Sequence, residues 1–169
     1  MHTEPLLGLD VASLSVVFLV LLGIHVSAAL VAIVSGLVAM FSRKGSGRHV
    51  VGGRFYFGAM LIVFASACAM SAFRWPTDLP LVVAGAVAAV AATYGFIYRR
   101  LHRPGDALHI IAMGVSYVAM LTAFYVDNGP HLPIWQLLPS WLFWFLPAIV
   151  GTPLIIRAVV RRRHHRPSN

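Results

Sequence analysis

Two histidines of this chain stand 60 residues apart inside the same short pattern, Arg43-x-Gly45-x-x-x-His49 and Arg103-x-Gly105-x-x-x-His109. Each opens a helical face at spacings of four, seven and eleven: His49, Gly53, Tyr56, Met60 and His109, Met113, Ser116, Met120. A neutral imidazole offers one unshared pair and one N–H. Two of them on facing helices of a four-helix bundle can supply both axial ligands of a b-type haem. A quinone headgroup can use the same pair as hydrogen-bond partners, and a metal ion could be held there too. In that reading Tyr56 lines the site, Gly52 and Gly53 leave room for a flat macrocycle, and Arg48, Arg54 or Arg103 pair with its propionates. The plainer expectation is that both histidines are interfacial residues bonded to loop carbonyls.

A second set of polar residues falls elsewhere. His25 lies within the first apolar run, where an unpaired ionisable group is costly and is by default a functional hypothesis. It either bonds a carbonyl or hydroxyl of a neighbouring helix or joins a site. Tyr125-Val126-Asp127-Asn128-Gly129-Pro130-His131 reads first as a helix stop and turn. Asp127 is 18 positions after His109, five helical turns, and so shares its face. Asp127, His131 and His25 together form a candidate polar site at the other end. His2, His102, His164 and His165 fall in loops or chain ends and read as exposed polar residues, while the lone Cys68 reads as a small hydrophobe.

The elements that must position these residues are membrane helices. Of 169 residues, 59% are hydrophobic and 11% charged, with a mean hydropathy of +0.82. A water-soluble domain of this size could not hide so much apolar surface. Five stretches match the roughly 20 residues that a helix needs to cross a hydrocarbon core: within Val11–Phe41, then Phe55–Phe73, Leu79–Tyr98, Ala107–Val126 and about Leu137–Val160. The first has acidic flanks, Glu4 and Asp10, and is too long for a signal peptide. Alternating sides of five spans gather 12 of the 13 Lys and Arg residues on one side, leaving only Arg74 opposite. By the positive-inside rule that side is cytoplasmic, so the N-terminus lies outside and the basic tail 161–169 inside. The +8 formal charge is thereby explained by topology and attraction to anionic headgroups rather than by nucleic acid.

A shift of 60 residues matches the first helix pair to the second, with Ala28/Ala88, Ala32/Ala92, Gly45/Gly105, His49/His109, Met60/Met120 and Phe64/Phe124 identical. This predicts a single all-α membrane domain: two tandem helix pairs (about 11–73 and 79–126) in parallel repeat, plus a fifth helix, kinked by Pro147 and Pro153, packed outside them. Small residues at spacings of four, Ala28, Ala32, Gly36 and Ala84, Ala88, Ala92, predict close helix approach.

From Lys44-Gly45 through His49, Gly52 and Tyr56, and again through His109, Met113-Gly114 and Ser116-Tyr117, the chain resembles an uncharacterised family of bacterial multi-pass membrane proteins. The resemblance continues through Leu121 to Gly129, Leu132-Pro133, Trp135, Leu138-Pro139, Pro147 and Gly151-Thr152-Pro153. It implies a bacterial inner membrane and includes His25, His49, His109 and Asp127 in the family pattern, without an activity. Three functions fit the residues: a redox protein holding haem b or a quinone, a small transporter or proton-coupled permease, and a non-catalytic subunit with a membrane partner or a second copy. No HExxH, GxSxG or intramembrane Asp-Asp pair points to hydrolysis.

Overall fold

The computed structural model describes residues 16–102 and 105–164, and the side chains of 162–164 are outside that description. Arg103, the start of the first span and the tail beyond 164 therefore lie outside the described residues. Five helices run in order: α1 Val16–Phe41, α2 Gly47–Ser71, α3 Leu79–Arg100, α4 Ala107–Asn128 and α5 Leu146–His164. Three short 3-10 turns, Gly129–His131, Trp135–Leu137 and Ser140–Trp144, join α4 to α5. No strand occurs among the described residues. All five spans are long and apolar enough to cross a membrane, as an all-α membrane bundle requires. Only 17% of the most apolar window of α1 is buried within the chain, so most of its Val and Leu side chains need lipid around them.

The two helix pairs are hairpins that turn in the same way. Gly45 (φ 81°) and Gly105 (φ 88°) both take the left-handed conformation, which only glycine adopts without strain. The next residue, Ser46 or Asp106, sits at the N-cap of the returning helix. Ser46 Oγ accepts from the His49 backbone N–H, and Arg99 ties to Asp106 at 2.8 Å across the second turn. The Gly-x-x-x-His pattern thus has one physical meaning in both places: the glycine makes the turn, and the histidine falls in the first turn of the new helix. Because Ser46 caps it, α2 starts eight residues earlier than the apolar run suggests.

Small residues bring the helices together. Ala28, Ala32 and Gly36 of α1 and Gly85, Ala88, Ala89, Ala92 and Gly95 of α3 are buried, while Ala84 is only half-buried. Between them lie the larger side chains of α2 and α4, chiefly Tyr56, Met60, Tyr117 and Met120. Phe57 of α2 stacks on Phe96 of α3 with ring centres 4.3 Å apart, joining the two hairpins.

α5 packs against α4, outside the four-helix core. The segment 137–145 is not part of it: Pro139 precedes a 3-10 turn, and the helix proper begins at Leu146 with Pro147 in its first turn, where no N–H is missed. The α4–α5 seam is reciprocal. Gly114 receives Ile155 and Gly151 receives Val118, each glycine lying where a Cβ would overlap the opposing side chain. Gly151→Val is therefore expected to lift α5 off α4, costing about 1–3 kcal/mol. Thermal unfolding in detergent checks this, and an unchanged midpoint would count against the seam.

Candidate functional site

The fold brings His49 and His109 side by side. Their ring centres are 6.3 Å apart and the ring planes stand 79° to each other. Both are half-buried, at the end of the bundle that carries Arg43, Lys44, Arg48, Arg99 and Arg100, called here the basic end. Each ring is anchored. His49 Nδ1 donates to the Ala39 carbonyl at 2.8 Å, and His109 Nδ1 donates to the Gly95 carbonyl at 2.9 Å. A carbonyl can only accept, so the proton of each neutral ring is fixed on Nδ1 and Nε2 keeps its unshared pair.

The anchors arise from the hairpins themselves. Ala39 lies in the last turn of α1, whose carbonyls have no partner further along the helix. Gly95 lies deeper in α3, where Met113, one turn beyond His109, fills the space a side chain would take. The two hairpins thus hold equivalent histidines through carbonyls that are not equivalent, one ten residues back and the other fourteen.

The surroundings are positive. Both rings sit in the first turns of α2 and α4, where the helix dipole is positive. Lys44 and Arg99 lie within electrostatic reach of His109. This setting favours an anionic ligand.

Other expected site residues fall elsewhere. Tyr56 lies two helical turns deeper, 2% exposed, and its hydroxyl bonds Ser116 Oγ at 2.7 Å in the core. Five residues beyond His49 on a helix, Arg54 points about 140° away, and it lines a groove with α1 on the outer face of α2. Gly52 does not open space: a Cβ there would lie 3.0 Å from the Ser35 carbonyl oxygen, so this glycine serves the α1–α2 contact. Gly53, on the turn next to His49, does face open space.

His25 is placed far from the pair. It pairs with Ser66, and Ser66 is 17 residues from His49 along α2, about 25 Å at the helical rise. Ser66 Oγ spends its single proton on the Ile62 carbonyl (2.7 Å), so His25 Nδ1 donates to Ser66 Oγ at 3.0 Å. Asp127 is exposed but within electrostatic reach of both His25 and Asp78. Burial raises the Asp78 carboxyl above the usual carboxylate range, Arg74 at 3.7 Å pulls it back, and Asp127 adds to the rise. His131 is exposed at the end of a 3-10 turn. Ser66→Ala is expected to cost about 0.6–1.7 kcal/mol. A double-mutant cycle with His25→Ala checks it, and zero coupling would contradict the bond.

Ser66 was readable in principle. In an antiparallel hairpin turning at residues 42–46, partners sum to about 90, as Ala39 and His49 do, which sets residue 66 beside His25. The anchoring carbonyls carry no sequence signal, because every residue has one.

No protein-family model, curated protein or solved structure matches this chain.

Proposed function

We propose that His49 and His109 hold one b-type haem at the basic end of the bundle, making the protein a membrane redox carrier. The observation that carries this reading is the pair itself: two anchored imidazoles, 6.3 Å apart, each with Nε2 unprotonated. His49 and His109 would each supply one imidazole nitrogen to the iron. Backbone carbonyls that hold Nδ1–H are the usual means of aiming Nε2 at a metal.

The donor set favours haem over a bare ion. No group of three or more His, Cys, Asp or Glu side chains is gathered among the described residues, whereas a bare ion needs three or four ligands. A haem brings four equatorial nitrogens of its own and two carboxylates. Those carboxylates suit Lys44, Arg99 and the helix N-termini around the site. A quinone carbonyl needs a donor, which Nε2 of these tautomers is not. When bound, the group supplies reversible one-electron chemistry; the chain's residues supply the ligands, their orientation and the positive surroundings.

A bacterial inner membrane, with the basic end in the cytoplasm, accords with the resemblance and the positive-inside rule. The matching glycine turns and histidines support a parallel repeat. A permease is less well supported, since Tyr56, Met60 and Ser116, all 2% exposed or less, close the middle of the bundle. Titrating haemin into the purified full chain tests the reading: a Soret band should saturate at one haem per chain. A titration no different from that of empty detergent micelles would defeat it.

A further inference from the structure

On the outer face of the α1–α2 hairpin runs an apolar groove with a cation in it. One stretch, about 830 Å³, is floored by Gly23, Gly58 and Ala59 and ends at Arg54 and Phe55. It continues past Phe55 and Val31 into a second stretch that reaches Arg48 at the basic end. A Cβ at Gly23 or Gly58 would meet nothing within 4 Å, so the floor is open to an occupant.

Arg54 makes this groove unlike the rest of the lipid-facing surface. It is seven residues into α2, about 10 Å from the helix start, and α2 is one of the spans. An arginine at that depth needs a counter-charge. The ion pairs found among the described residues are Arg74–Asp78 and Arg99–Asp106, and neither includes it. Arg48, six residues nearer the basic end, lines the second stretch, and phosphates of a bilayer lie at that end. From Arg48 to Ile62, at the far end of the groove, is about 21 Å of helix, close to the length of a glycerol with one acyl chain.

We infer that this groove binds an anionic phospholipid, with its phosphate held by Arg54 and Arg48 and one acyl chain laid along Phe55, Gly58 and Gly23. Charge complementarity selects this occupant. A zwitterionic lipid of the same chains fills the groove but carries a choline cation beside the arginines, and a second copy of the chain would bring Arg54 against apolar helix. Arg54 and Gly58 face away from the histidine pair on α2, and neither imidazole lines the groove.

Native mass spectrometry of the full chain, released from micelles containing equal phosphatidylglycerol and phosphatidylcholine of identical acyl chains, tests this. Phosphatidylglycerol should be retained over phosphatidylcholine by about tenfold. Arg54→Gln should bring the ratio to near one, and Gly58→Leu, which fills the groove, should reduce retention of both. Equal retention by the wild-type chain, an unchanged ratio in Arg54→Gln, unchanged retention in Gly58→Leu, or a dimer that retains no lipid would each overturn the inference.

Discussion

Replacing His49 and His109 together by alanine is expected to abolish haem binding, and either single replacement to weaken it by far more than tenfold. The magnitude follows from ligand chemistry: loss of an outer-shell partner of a metal ligand costs about 10–100-fold, and loss of the ligand itself costs more. The effect is separable from folding. His49→Ala leaves the Ala39 carbonyl without its donor, but the site is half-buried at the end of the bundle, so the stability cost is about 1 kcal/mol. The same holds for His109 and Gly95. Haemin titration alongside thermal unfolding checks this. Two stable variants that bind haem as the wild type does would remove the basis of the assignment. Arg54→Gln serves as a control: it lies in the α1–α2 groove and should leave the haem spectrum unchanged.

The second large effect is expected at Gly52. A Cβ there would stand 3.0 Å from the Ser35 carbonyl oxygen and 3.2 Å from the Ala39 nitrogen. Both are backbone atoms of α1 and cannot turn aside as a side-chain end can. Gly52→Val must therefore push α1 and α2 apart, at about 1–3 kcal/mol or more. It also draws the Ala39 carbonyl away from His49 and frees that ring to rotate. Stability and haem affinity should both fall, although Gly52 touches neither imidazole. Gly53→Ala is the matched comparison: a Cβ there meets nothing within 4 Å, and the better helix former should be tolerated. Thermal unfolding of the two variants would tell them apart, and equal midpoints would show that the α1–α2 contact is not what Gly52 serves.

Much of this architecture could be read from the sequence because the membrane allows few solutions. Backbone polar groups in hydrocarbon must be satisfied within a helix, so length and hydropathy alone locate the spans. The ends were less legible. α2 begins at Gly47 rather than Phe55, since Ser46 and the turn at Gly45 set the start while hydropathy registers only Phe55 onward. The fifth helix begins at Leu146 rather than about Leu137, since Leu137, Trp141 and Trp144 are apolar enough to look helical but stand among prolines in 3-10 turns. The meeting of His49 and His109 was legible in the shared Gly-x-x-x-His spacing, which sets both in a first turn at the same end. The tautomers were not, because they depend on which carbonyl each ring reaches. That Arg54 points away from His49 follows from the helical period, whereas the role of Gly52 does not, since α1 could pack on either flank of α2.

The central claim is that both imidazoles bind one iron, and the coordination state of that iron tests it most directly. Electron paramagnetic resonance of the ferric, haem-loaded full chain should show a six-coordinate low-spin centre. A high-spin five-coordinate signal, or a low-spin signal that persists when His49 and His109 are both alanine, would contradict the account.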